Sequence, residues 1–251
     1  MIISVTNQKG GVGKTTTAIN VSAGLALKGK RVLLLDLDPQ GNATSGLGIE
    51  KNNKGIYDVM INGDGISDVI MDTNIEKLKI IPSNIDLSGA TVEMVALKDR
   101  EMLLKNALEG VKGDYDYVII DCPPSLDLLT VNAFTASDKV LVPIQCEYYA
   151  LEGLGQLMNT VKLIKKRLNP ALDVDGVALT MYDSRTNLSQ QVVDEVKKYF
   201  AKKVYRTHIP RNVRLAEAPS FGEPIQVFDR YCPGSLAYMA LCDEIIERNE
   251  G

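Results

Sequence analysis

Short runs of β-branched and aliphatic residues, bounded by turn residues, alternate along the chain with longer segments whose apolar positions follow a helical period. The short runs predict strands over residues 2–6, 31–36, 78–82, 117–121, 139–143, 176–181 and 203–208. The longer segments predict helices over residues 14–28, 55–62, 100–112, 126–136, 151–167, 188–200, 214–218 and 235–248. Alternation of this kind specifies an α/β fold, a mostly parallel twisted sheet with helices on both faces. In such a sheet ligands collect beyond the carboxyl ends of the strands, and three chemically loaded loops fall at such ends.

The first loop, Gln8-Lys9-Gly10-Gly11-Val12-Gly13-Lys14-Thr15-Thr16, lies between the first strand and the first helix. Glycines let successive backbone N–H groups turn toward phosphate oxygens, and the helix N-terminus adds partial positive charge. In this phosphate-binding arrangement Lys14 contacts the β and γ phosphates and Thr15 places its hydroxyl on Mg²⁺. The pattern departs from the ordinary P-loop at its first glycine, where Gln8 stands, and it carries a second lysine, Lys9. The second loop follows Leu33-Leu34-Leu35 and offers Asp36 and Asp38, which share a face if the strand continues that far. The third follows the run Tyr117-Val118-Ile119-Ile120 and begins with Asp121, a position suited to holding Mg²⁺ through water.

Taken in order, KGGVGKTT, DLDPQGN and IIDCPPS resemble the ParA/Soj branch of the deviant P-loop ATPases, over essentially the whole chain. Two further stretches, residues 146–153 and 209–219, look like hallmarks of the same family. The resemblance implies a slow Mg²⁺-dependent ATP hydrolase of DNA segregation, cytoplasmic and nucleoid-associated. Its nucleotide site would comprise Lys9, Gly10, Gly11, Val12, Gly13, Lys14, Thr15 and Thr16, with Pro210 and Asn212 near the adenine. Lys9, Lys14 and Asp38 would be catalytic, Lys9 reaching the phosphates of a second copy in an ATP-dependent homodimer and Asp38 positioning the attacking water. Thr15 would bind Mg²⁺ directly, and Asp36 and Asp121 through water. Arg185 and Arg214 would contact double-stranded DNA without sequence preference, and a ParB-type partner would stimulate hydrolysis. The chain is expected to be a single P-loop domain over residues 1–251, without an N-terminal helix-turn-helix extension or a signal peptide.

Charge refines the expectation about DNA. The formal net charge is −4, yet between Arg185 and Arg214 eight Lys/Arg face two acids, so that segment is +6 and the remainder −10. The four cysteines lack metal-ligand spacing, and His208 precedes Ile-Pro in a structural setting. Two alternatives compete with partition. A MinD-like, membrane-recruited ATPase requires a basic amphipathic C-terminal helix, whereas four acids and one base follow from Asp243 onward. A small-molecule kinase or ligase requires its own acceptor pocket.

Overall fold

The computed structural model describes residues 1–51, 54–147 and 151–251. Its strands are β1 (Ile2–Val5), β2 (Val32–Asp36), β3 (Met71–Asp72), β4 (Leu78–Ile81), β5 (Tyr117–Asp121), β6 (Lys139–Gln145), β7 (Asp173–Tyr182) and β8 (Val204–Pro210). They form one sheet in the order β3-β4-β2-β5-β1-β6-β7-β8, parallel throughout except for the β3–β4 pair. Every residue of β1, β2 and β5 is buried, as expected where helices cover both faces.

The helices are α1 (Lys14–Leu27), α2 (Asn42–Gly46), α3 (Leu87–Glu93), α4 (Leu103–Leu108), α5 (Leu128–Ala136), α6 (Leu154–Arg167), α7 (Asn187–Phe200), α8 (Arg214–Glu217), α9 (Ile225–Phe228) and α10 (Pro233–Glu250). Strand pleating sorts the core into two layers. Leu33 and Leu35 of β2 pack in the layer that holds Leu104, Leu157 and Val193 of α4, α6 and α7. Val32 and Leu34 pack in the layer that holds Leu25 of α1 and Leu241 and Ile245 of α10. Beside β1 the strand order reverses, with α1 leading away to β2 and β6 pairing on the opposite edge. The loop after β1 therefore opens into a crevice at the carboxyl ends of the strands.

The α/β class and all seven predicted strands are present, with shifted ends. The predicted helix over 55–62 closes in a π-helical turn, Asp58–Asn62, ended by Gly63 at φ 79°. The one over 100–112 shrinks to Leu103–Leu108, and Asn132 accepts a hydrogen bond from the Leu104 N–H at 3.1 Å. The short elements β3, α2, α3 and α9 span too few residues to display a period. The helix expected over 151–167 begins at Leu154, and Tyr148, Tyr149 and Ala150 of the 146–153 stretch lie outside the described residues.

The acidic C-terminal helix is bound into the fold. Glu244 accepts hydrogen bonds from the N–H groups of Arg206 and Thr207 at 2.9 and 2.7 Å, occupying donors on the edge strand β8. Asp243 pairs with Lys28, and Glu250 with Lys30 and the Tyr117 hydroxyl. α10 approaches α1 so closely that a Cβ at Gly24 would stand 2.6 Å from Cys242 Sγ. Gly24→Val is therefore expected to destabilise the protein by about 1–3 kcal/mol through overpacking. A thermal melt checks this: the variant melts several degrees lower, and an unchanged Tm contradicts the packing.

Candidate nucleotide site

The phosphate loop is shaped by two left-handed glycines, Gly11 at φ 73° and Gly13 at φ 88°, which side chains would strain. Gly13 is also the N-cap of α1, and no side chain caps that helix, leaving its leading N–H groups directed at the crevice. The loop is braced on both sides. Asn7 accepts from the Lys9 N–H at 3.0 Å and donates to Pro143 O at 2.7 Å, while the Thr180 hydroxyl donates to Val12 O at 2.8 Å. Gly10 and Gly11 are exposed at the tip, Lys9 is half-buried beside them, and Val12 is buried.

Lys14 is buried at the start of α1 and donates to Lys9 O at 3.1 Å. Burial lowers its pKa, and the charges of Asp121 and Asp38 oppose that shift. Asp36 and Asp121 are register partners at the ends of β2 and β5, both fully buried. Asp36 accepts from the Thr44 N–H and hydroxyl at 2.8 and 2.7 Å and from the Asp38 N–H at 3.2 Å. Burial nevertheless pushes its pKa up to about 6. Among the described residues, Asp121 has no well-formed hydrogen bond to either carboxylate oxygen. Burial first, and the neighbouring Asp36 second, push its pKa well above the ordinary carboxylate range, and the Thr15 hydroxyl beside it only eases the shift. A buried carboxylate without donors, flanked by Thr15 and Lys14, fits a site for a hydrated divalent cation. Asp38, also buried, caps its own loop by accepting from the Gln40 N–H at 3.0 Å.

Next to the loop lies a cleft of about 400 Å³ lined by Gly13, Thr16, Met181, Pro210 and Asn212, among others. The structure thus brings Pro210 and Asn212, distant in sequence, against the phosphate loop. Sequence reasoning missed three supports: Thr44 holding Asp36, Thr180 holding Val12, and Arg211 pairing with Glu147 at 3.1 Å near the cleft. Thr44 could have been found, since it follows the second motif by two residues and is one of the few side chains there able to donate.

Arg185 and Arg214 follow the adjacent strands β7 and β8, whose ends are joined by the Arg211 N–H donating to Tyr182 O at 3.1 Å. Both are exposed and carry acidic neighbours: Arg185 pairs with Asp183, and Arg214 with Glu217 and Asp229. The basic segment does not form one patch. Lys203 pairs with Asp173 at the opposite end of β7, and Arg206 with Glu244 and Glu247 of α10. The seven residues of β8 set Lys203 and Arg211 more than about 20 Å apart, with Arg206 on the strand between them.

Residues 1–174 match the family model described as AAA domain. The chain is 59% identical to the sporulation initiation inhibitor protein Soj of Bacillus subtilis (strain 168), covering 97% of each chain. It is 52% identical to the chromosome-partitioning ATPase Soj of Treponema pallidum (strain Nichols), over 97% of this chain and 96% of that protein. The chain belongs to the ParA/Soj family of partitioning ATPases. Its fold is shared by a solved structure described as cobyrinic acid a,c-diamide synthase from Mycobacterium smegmatis with bound ATP analog and magnesium. That match has a TM-score of 0.88 and 37% identity, covering 100% of this chain and 96% of that chain. The ParA/Soj motifs, separate along the sequence, meet in this chain as one crevice around Lys14.

The unpaired Asp121 gives a test of the site with a definite sign. Its folded-state pKa lies above the unfolded value, so the stability it contributes is present below the ordinary carboxylate pKa and is lost as pH rises through the folded one. Asp121→Asn removes that loss. Without ligand at about pH 8, Asp121→Asn is expected to be more stable than the native protein by about 1–3 kcal/mol, and the gain to shrink toward pH 4. If Asp121 serves Mg²⁺, the order is expected to reverse with Mg²⁺ and ATP present. Denaturant unfolding at both pH values measures it, and a ligand-free variant that is no more stable at pH 8 contradicts the reading.

Proposed function

We propose that this chain is the ATP-driven switch of a DNA-segregation system, with Mg²⁺–ATP closing two copies face to face and the closed dimer binding DNA without sequence preference. The observation that carries the reading is the convergence of Lys9, Lys14, Asp38 and Asp121 around one glycine-rich loop whose tip is exposed. One lysine is buried in the chain's own phosphate site. The other stands at the rim, where it can serve phosphates held by a facing copy.

In this reading the Gly10–Thr16 backbone and Lys14 hold the β and γ phosphates, and the base occupies the cleft between Thr16, Pro210 and Asn212. Mg²⁺, held by Thr15 directly and by Asp36 and Asp121 through water, would neutralise charge on the phosphates. Asp38, held in place by its loop, orients the attacking water. Lys9 of each copy completes the other's site. Hydrolysis removes the reason for the dimer to persist, and a ParB-type partner accelerates that step. Arg185 and Arg214 lie beyond the carboxyl ends of neighbouring strands, so each copy presents them together. Their ion pairs are solvent-screened, which makes exchange of a carboxylate for a DNA phosphate inexpensive.

The alternatives fare worse. α10 buries Tyr238, Leu241, Cys242 and Ile245 and pairs its acids with Lys28, Lys30 and the backbone of β8, so it is no free lipid-binding helix. The synthase-type name belongs to a neighbour at 37% identity, whereas relatives at 59% and 52% are described by sporulation and chromosome-partitioning roles over nearly their whole length.

Light scattering should show a monomer with ADP and a dimer with ATP, and Lys9→Ala should stay monomeric with ATP while keeping its fold. Asp38→Ala should dimerise with ATP and hydrolyse it poorly, because a water-positioning carboxylate acts on the reaction more than on the ground state. A nucleotide-independent dimer, or normal turnover in Asp38→Ala, contradicts the model.

DNA binding is tested with the Asp38→Ala dimer by anisotropy on unrelated duplexes at several salt concentrations. Log affinity should fall with log salt at about −0.9 per phosphate neutralised. Arg185→Ala and Arg214→Ala should each weaken binding and flatten the slope by about 1 for every phosphate that is no longer neutralised, with dimerisation intact. Equal binding without nucleotide, or unchanged slopes, would sink the assignment of these arginines.

A further inference from the structure

On the far side of the sheet from α10, the helices α6 and α7 enclose a groove of about 510 Å³ that the nucleotide reading does not use. Its walls are mostly apolar: Leu154, Met158 and Phe200 lie along it, and Tyr199 stands at its edge with 69% of its surface exposed. Gly155 sits in its lining. This glycine, the second residue of α6, is exposed, its φ is not left-handed, and a Cβ built on it meets nothing within 4 Å among the described residues. Neither backbone conformation nor close packing against the described residues requires glycine there, and glycine weakens a helix relative to alanine. Its effect is to leave the groove open where any other side chain would enter it.

The α6 wall has one sign of charge. α6 carries Lys162, Lys165, Lys166 and Arg167 and no acid along its 14 residues. Lys162 lines the groove and Lys166 follows it by one turn. Neither makes an ion pair among the described residues, and Lys165 reaches Asp173 only at 3.9 Å. An apolar trough between two helices with unpaired lysines along one wall matches an amphipathic helix whose apolar stripe enters the trough and whose flank is acidic.

We propose that the α6–α7 groove is a docking site for an acidic amphipathic helix of a partner protein, with an apolar side chain seated over Gly155 and carboxylates facing Lys162 and Lys166. DNA fits the lysines but leaves the apolar walls and the open glycine unused. A second copy of the chain meeting this face with its own α6 would set lysine against lysine, since α6 carries no acid.

The probe is a fluorescein-labelled synthetic amphipathic peptide of about 15 residues, long enough for helix formation, with a leucine stripe and glutamates on its flank. Control peptides carry lysine for glutamate or a scrambled order. Anisotropy is read on the full-length protein with ADP at low and moderate salt. The glutamate peptide should bind at least about tenfold more tightly than either control, and more weakly as salt rises. Gly155→Leu fills the groove, and Lys162→Glu reverses its rim. Each should weaken glutamate-peptide binding by about tenfold or more while the thermal melt and basal ATP turnover stay unchanged. Equal binding of all three peptides, or full binding by Gly155→Leu, overturns the proposal. So does loss of ATP-driven dimerisation in Gly155→Leu, which would assign the groove to a second copy. A Lys162→Glu variant that loses duplex binding but keeps the peptide would assign the face to DNA.

Discussion

Two carboxylates are held side by side at the ends of β2 and β5, out of contact with water, and the rest of the site is arranged around that cost. Register pairing of Asp36 with Asp121 in the middle of a covered parallel sheet leaves neither acid a route to solvent. Asp36 is partly compensated by Thr44 and the backbone of Asp38. Asp121 is not, and desolvation raises its pKa, a shift that a nearby positive charge opposes. Lys14 supplies one such charge, at the expense of its own hydration. In the proposed site, a divalent cation held by the Thr15 hydroxyl beside Asp121 would relieve the same penalty. On the proposed reading, ligand binding would be linked to folding, because cation and phosphates would offset the cost of burying these carboxylates.

The fold makes this arrangement possible. The strand order reverses beside β1, so the loop after β1 lies at the mouth of the crevice, with the carboxyl ends of β2 and β5 on one side and of β6, β7 and β8 on the other. The phosphate loop draws support from both halves, through Asn7 to Pro143 and through Val12 to Thr180. α10 closes the chain by covering the β8 edge with Glu244 and packing on α1, the helix that begins with Lys14. α10 also reaches the cleft directly, since Tyr238 lines it and its hydroxyl lies 3.1 Å from the Thr17 hydroxyl of α1.

Much of this is legible in the sequence because the decisive features are local. Buried parallel strands read as continuous apolar runs, and Gly11 and Gly13 occupy backbone conformations that few other residues adopt, so the phosphate loop declares itself by composition. Asp36 and Asp121 close such runs, and the sheet sets both at strand ends. The missed features are those set by tertiary packing. Thr44 and Thr180 become part of the site only when the sheet brings them to Asp36 and Val12. The basic segment misleads because a sum over consecutive residues takes no account of the direction of β8, which carries Lys203 and Arg211 to opposite ends of the sheet. The acidic tail is legible as hostile to anionic lipid, but its use in satisfying β8 is not, since an edge strand's free donors are visible only in the sheet.

As proposed, the chain is a switch whose nucleotide state is read by DNA and by a partner. ATP turnover by the full-length protein tests that claim most directly, measured alone, with unrelated duplex DNA, with a ParB-type partner, and with both. Slow turnover alone is expected, with marked acceleration when partner and DNA are present together. Turnover that is fast by itself and indifferent to both additions would contradict it.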